Sequence, residues 1–338
     1  MKKNLYVISN EKIFHSDGNY FCDNLDMKST PEGLNNDFNV KIIARKSKTS
    51  RAQKINLKSI KTFSNIFSYI FEVMKSSKHE NSQFLIISLS PYTFIASILL
   101  RFSKKTPYLY LRSNGFEEYK VLLGIIGYII YFLMFSITSK ISNLICCRKH
   151  LLRGKRGHVV SPSQIDADWK ANLSDPEIFE TKLLYVGRMR KEKGIFSLIK
   201  ILEKKNNIKL TIVGQEKDTN TEIKNKNIEI FNIVNQKGNL IKFYDRHNIF
   251  ILPSFTESHP MVLLEALSRL RPVIIFKEIK HVIGNFKGIF IADRNISSLI
   301  EKTDYIKKNY KKIQTEMREN QIPSNYEFIK DISKIIIS

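Results

Sequence analysis

Short apolar runs alternate with helical spacings along most of the chain. Leu5 to Ser9 reads as an opening strand, and Lys12 to Asn19 as a loop with Gly18 at its tip. Residues 38–45 give a second strand, and Phe63 to Met74 carries apolar residues at helical spacing. Two more strand-like runs, Phe84–Leu89 and Tyr108–Leu111, flank an apolar helix around Tyr92–Phe102. The second half repeats the pattern. Strands are expected at Leu183–Val186, Ile208–Val213, Glu229–Ile233 and Phe250–Leu252, with helical registers from Ile195, Leu240 and Met261. Gly284 and Gly288 punctuate a last strand and turn, and Tyr326–Ile337 forms an amphipathic helix suited to crossing back over the first domain. Strands alternating with helices predict parallel α/β sheets, whose ligands sit at the carboxyl ends of the strands. In the first half that points to the loops at His15–Asn19, Ser90–Tyr92 and Arg112–Gly115. Polar and acidic residues cluster from Ser161 to Glu180, so the expected organisation is a first domain over 1–165, a second over 166–323 and a returning helix over 324–338.

Residues 121–137, VLLGIIGYIIYFLMFSI, are the most hydrophobic window. A membrane span needs roughly 20 apolar residues, with a lower range near 17. Two glycines, two tyrosines and Ser136, with Lys120 and Lys140 alongside, favour a helix at the membrane interface over a buried domain helix, and either over a span. RKHLLRGKRG at 148–157 reads as a basic, solvated surface turn.

Composition sharpens this picture in two places. The 338 residues suffice for two domains, and the 43% hydrophobic share is that of a globular protein. The net charge of +23 is lopsided, because residues 1–160 hold 25 lysines and arginines against 10 acids. Such a field suits an anionic membrane face or phosphorylated ligands. A nucleic-acid partner is not expected, since zinc spacings, RNP-like aromatics and basic-leucine patterns are missing. Cys22, Cys146 and Cys147 make no disulfide framework, which points to a reducing cytosol. The start, MKKNLYVISN, has too short an apolar run for a signal peptide.

The chemistry concentrates at FILPSFTESHPMVLLEALSRLRPVI, 250–274. An apolar strand ends at Pro253, Ser254 to His259 form a polar loop, and Pro260 stands where a first helical residue is favoured. Strand, loop and helix in that order leave free N–H groups where a phosphate finds donors and a favourable dipole. Glu257 and Glu265 flank that seat, and a carboxylate's paired oxygens suit neighbouring hydroxyls of a sugar or ribose. The plain alternative is two solvated acids on an ordinary βα unit. Upstream, in LLYVGRMRKEKG, Gly187 allows a sharp turn after the strand, and Arg188 and Lys193 lie in the loop before the next helix. Such a loop can aim a guanidinium fork and an ammonium at one diphosphate.

Three pieces together, LLYVGRMRKEKG at 183–194, LTIVG at 210–214 and ILPSFTESHPMVLLEALSRLRPVI at 251–274, resemble the retaining GT-B glycosyltransferases of family four, over about residues 181–292. Glu257 and Glu265 match that family's E-x7-E element. The resemblance implies two Rossmann-like domains with parallel sheets facing a cleft. It also implies a diphosphate held by Arg188 and Lys193, sugar hydroxyls at Glu257 and ribose hydroxyls at Glu265. Backbone N–H groups around His259, Pro260, Met261, Val262 and Leu263 would meet the donor, with Val234 beside the base and Gly18 at the phosphate and acceptor. The chain departs from the family at Ser258-His259 for a frequent Gly-Phe, and at Leu270 for a frequent glycine. Where a histidine is usual in the first domain, Arg112, Ser113 and Asn114 stand as acceptor-side candidates.

The resemblance thus implies a retaining, hexosyltransferase-type enzyme working through an oxocarbenium-like state, with the departing diphosphate drawing the acceptor's proton. Such chemistry needs stabilisation of leaving-group charge more than a side-chain base. No metal and no cofactor beyond the nucleotide-sugar donor are expected. The basic first half and the 121–137 window favour a glycan acceptor carried on a lipid, such as a polyprenyl-diphosphate glycan or a lipopolysaccharide intermediate. The setting would be bacterial surface polysaccharide assembly, in the cytoplasm and peripheral on the inner face of the membrane. The alternatives are a nucleotide-sugar epimerase of the same fold and a non-catalytic nucleotide-sugar or membrane-binding protein. Glu117 and Glu118, adjacent in sequence, read as surface acids and not a catalytic pair.

Overall fold

The computed structural model describes residues 2–203, 208–215, 225–234 and 236–338. They divide into two compact units, Met1–Pro162 with Asn325–Ser338, and Ser163–Ser324. In the first, the elements run β1 (Asn4–Ser16), β2 (Asn19–Cys22), α1 (Leu25–Leu34), β3 (Asn39–Lys46), β4 (Gln53–Ile55), β5 (Ile60–Phe63), α2 (Ile66–Ser77), β6 (Ser82–Ile87), α3 (Pro91–Phe102), β7 (Tyr108–Leu111), α4 (Gly115–Ile141), β8 (Asn143–Cys146) and β9 (His158–Val159). The parallel strands lie in the order β5-β3-β1-β6-β7-β8-β9. Because the sheet is covered on both faces, β1 and β6 read as unbroken apolar runs, Leu5–Ile8 and Phe84–Ile87, all buried.

The expected loop at Lys12–Ser16 is strand. After a register shift between Ile8 and Lys12, β1 continues to Ser16 and pairs antiparallel with β2, which pairs with β4. Asp17 and Gly18, with φ of 49° and 72°, make the two-residue turn whose twist suits a hairpin. Polar residues in the shifted stretch hide the alternation that would have marked the strand.

The apolar window also differs from a continuous rod. At Gly124 the backbone turns to φ 64°, ψ −147°, a conformation open essentially to glycine, and α4 breaks there. The second segment folds against the first so closely that a Cβ on Gly127 would lie 2.0 Å from the Tyr119 carbonyl oxygen. Phe116 meets Tyr128, Tyr131 and Phe135 at centroid distances of 5.4, 4.8 and 5.4 Å across the fold. Tyr131, Met134, Phe135 and Thr138 are buried on the unit, whereas Val121, Leu122, Leu123, Ile125 and Ile126 form an exposed apolar corner.

The C-terminal helix, Asn325–Ile337, completes the first core. Phe328, Ile329, Ile332 and Ile336 are buried within it, Ile329 against Gly33 of α1.

The second unit runs α5 (Ala167–Lys170), β10 (Thr181–Val186), α6 (Ile195–Leu202), β11 (Ile208–Gln215), β12 (Ile228–Asn232), α7 (Lys237–Arg246), β13 (Ile249–Leu252), α8 (Met261–Ser268), β14 (Val273–Phe276), β15 (Ile289–Ala292), α9 (Ile296–Lys308) and α10 (Tyr310–Met317), with the C-terminal helix as α11. Its strands are all parallel in the order β12-β11-β10-β13-β14-β15. Two arginines are almost wholly buried. Arg269 donates to both carboxylate oxygens of Asp245 at 2.9 Å and to the carbonyls of Trp169, Ala171 and Asn172, while Arg271 donates to the carbonyls of Tyr244 and Ser174. These bonds pin the segment entering the unit to α7 and α8, satisfying carbonyls that burial would otherwise strand.

Candidate active site

The strand order of the second unit reverses between β10 and β13, and that reversal is where open α/β sheets form their ligand crevice. The two loops that leave the carboxyl ends there are 187–194 and 253–260. They are brought together by glycine. A Cβ on Gly194 would lie 1.9 Å from the Pro253 carbonyl oxygen, and one on Gly214 2.0 Å from that of Gly187. The Phe255 N–H then donates to the Glu192 carbonyl at 3.0 Å.

This approach joins two of the residues singled out from the sequence. Lys193 Nζ lies 2.7 Å from Glu257 Oε1, and the Ser254 hydroxyl donates to the same oxygen at 2.7 Å. Lys193 keeps 29% of its side chain exposed and Glu257 only 10%. The two were expected to serve separate parts of a ligand, and they form one ion pair. Arg188 stands at the head of the same loop with its side chain exposed, and its guanidinium has no partner among the described residues. Its carbonyl accepts from the Tyr185 hydroxyl at 2.9 Å, which fixes the turn after Gly187.

Glu265 is positioned differently. It is buried within α8, and the Tyr244 hydroxyl of α7 donates to its Oε2 at 2.7 Å. Burial pushes its carboxyl up to about 7, the Tyr244 hydrogen bond opposing only part of that rise. Pro260 is the residue capping α8 and not its first helical one, with ψ of 111°, and no side chain caps the helix start. His259, Met261 and Val262 are half-buried around that start, and Leu263 packs inward. Val234 follows β12, partly buried on the core of the unit.

The first unit holds the rest. Gly18 is exposed at the β1–β2 hairpin tip, with open space where its Cβ would be, so the turn and not a close neighbour demands glycine there. Arg112 is engaged by Asp26 at 2.7 Å and Asn24 at 3.2 Å. Ser113 and Asn114 line a cavity of about 510 Å³.

Three contributors escaped the sequence reading. Arg294 lies over the rings of Phe255 and Phe276, 4.0 and 4.3 Å from their centroids, and donates to Glu278 at 2.7 Å, bracing the 253–260 loop. The His281 ring meets the Glu257 carbonyl at 2.6 Å. Tyr244 supplies the bond to Glu265. All come from elements far along the chain with no motif of their own. Asp166, Ala167 and Asp168 form an Asp-x-Asp spacing. Asp166 and Asp168 both pair with Lys237, and Asp166 caps α5.

Two α/β units of Rossmann type, each with a parallel sheet, define the GT-B fold. Residues 174–327 match the family described as glycosyl transferases group 1. An uncharacterized glycosyltransferase of Methanocaldococcus jannaschii is 28% identical over 219 residues, 56% of this chain and 52% of the relative. The capsular polysaccharide biosynthesis glycosyltransferase CapM of Staphylococcus aureus is 29% identical over 135 residues, 36% of this chain and 35% of CapM. The chain thus spans about half or less of the length of these curated relatives. HepE of Anabaena, solved with UDP and glucose, shares the fold across 100% of both chains at a TM-score of 0.69 and 11% identity. Together these matches support a glycosyltransferase of the GT-B fold.

Proposed function

We propose that this chain transfers a hexose-type sugar, with retention, from a nucleotide-sugar donor to a hydroxyl of a lipid-linked glycan in surface polysaccharide assembly. The observation that carries the proposal is the Lys193–Glu257 pair at the β10/β13 switch point, beside the exposed Arg188 and the open start of α8. A diphosphate arriving there competes with Glu257 for Lys193 and is drawn by Arg188 and the helix start. Glu257, released from its lysine, is left to accept sugar hydroxyls. The gain over water comes from placing these charges before the leaving group develops its own. The names of CapM and HepE, one a capsular polysaccharide enzyme and one solved with UDP and glucose, agree with this reading.

The place of action we infer is the cytoplasmic face of a membrane. The apolar corner at 121–126 is exposed on a unit rich in cations, and Lys120 adjoins it. Apolar surface with flanking cations is the chemistry of an anionic lipid interface.

A thermal-shift panel of nucleotides and nucleotide sugars tests the donor site, because a ligand bound to the native state raises the midpoint by mass action. One nucleotide diphosphate and its sugar are expected to raise it, and transfer to a lipid-linked acceptor should follow. Arg188→Ala and Lys193→Ala should each remain folded and lose about a hundredfold in turnover, the usual effect of one leaving-group contact. Full turnover in both variants refutes the roles. Donor consumption without any acceptor would favour an epimerase instead.

A further inference from the structure

The cavity at the carboxyl end of β7 is lined by residues of the first unit alone. Ser113, Asn114, Phe116, Tyr131, His150 and Arg153 line a volume of about 510 Å³. Arg153 comes from the basic 148–157 turn, which is exposed from Arg153 to Gly157 as a solvated surface turn. Its guanidinium lies 3.9 Å from the centroid of the Phe116 ring, and Tyr131 packs on the same ring at 4.8 Å. The backbone at Arg153 is left-handed, φ 46° and ψ 46°, at the end of the 3-10 turn Lys149–Leu152. A guanidinium held over an aromatic face still has N–H groups to offer an anion. Glu117 and Glu118 occupy the first turn of α4 and disfavour an anion at that helix start, so the cationic side of the cavity is the Arg153 wall, with the His150 ring beside it in the lining.

The same helix leads from this cavity to the apolar corner. Beyond Phe116 its surface is Val121, Leu122 and Leu123, then Ile125, Ile126 and Ile129, each at least half exposed. A cationic seat at one end of an apolar track matches an amphiphile with a phosphate head. We propose that the cavity holds the phosphate of a phosphorylated single-chain lipid, met by Arg153 and His150, with the chain laid along α4 toward the corner. The assignment deepens the acceptor side of the glycosyl-transfer reading, and rests on that reading only for the lipid's being an acceptor.

Calorimetric titration of the whole chain with farnesyl phosphate, farnesol and inorganic phosphate separates head from tail. Farnesyl phosphate is expected to bind at least tenfold more tightly than either of the others, as a charge-assisted contact warrants. Arg153→Gln should abolish that preference while leaving farnesol binding in place, and Lys155→Gln, on the same turn, should not change it. His150→Gln supplies a second test should Arg153→Gln alter the thermal midpoint. Equal affinity for farnesol, equal affinity for inorganic phosphate, or equal effects of the two turn variants Arg153→Gln and Lys155→Gln would each overturn the proposal. No nucleotide sugar is present, so failure here leaves the donor site standing, and failure of the donor panel leaves this result standing.

Discussion

Leu270 shows how one residue can carry two opposed demands. The related family frequently has glycine there, and the backbone explains why, since φ at Leu270 is 55°. A left-handed non-glycine residue costs on the order of 1 kcal/mol, while burying the leucine side chain returns about 2. Leu270→Ala loses the burial and keeps the strain, whereas Leu270→Gly loses both. The expected order of thermal midpoints is therefore wild type, then glycine, then alanine. Alanine above glycine in chemical denaturation would contradict it. Glu265 makes a second residue-scale prediction. Its carboxyl titrates near 7 when folded and near 4.5 when unfolded, so between those values the native state binds the extra proton. Stability then falls as pH rises from about 4.5 to 7, by up to roughly 1.4 kcal/mol per unit, and is level above. Glu265→Gln should flatten that slope in a midpoint-against-pH series. An unchanged slope would show that the buried carboxyl does not titrate there.

At the scale of elements, sequence pattern served best where the period was strong. The helix from Ile195 was legible from the helical spacing of Ile195, Leu198, Ile199 and Leu202, and the strands at 183–186 and 250–252 because both faces of the sheet are covered, which leaves only apolar residues. The β1 hairpin was not, because its polar stretch at 9–12 carries a register shift that no period records. The break in α4 was half legible. Gly124 is visible in the sequence, but its role depends on the aromatic cluster that folds the second segment onto the first. The exposed corner it creates is testable. Combined Leu122→Ser, Ile125→Ser and Ile126→Ser should weaken sedimentation with anionic vesicles at least tenfold and leave the thermal midpoint unchanged, because the lost area faces outward. Unaltered vesicle binding would remove the corner from the membrane reading.

For the whole molecule, the chain's end decides the stability of its beginning. Phe328, Ile329, Ile332 and Ile336 of α11 are buried in the first core. At about 2 kcal/mol each, their loss rivals the entire stability of an ordinary domain. Deletion of 325–338 is expected to leave residues 163–324 resistant to limited proteolysis and the first unit open to it. Equal resistance of both units would mean that α11 is dispensable.

The amino-acid sequence alone determined the α/β alternation, the two loops at the ends of β10 and β13, and the residue types those loops carry. Those properties depend on local period and turn chemistry, which neighbouring residues settle among themselves. Only the tertiary structure decided that Lys193 pairs with Glu257 across 64 residues, that the Tyr244 hydroxyl bonds Glu265, and that Arg153 lies over the Phe116 ring at the wall of a cavity. Such contacts depend on which strands become neighbours and how closely glycine lets their loops approach, and no window of sequence contains both partners.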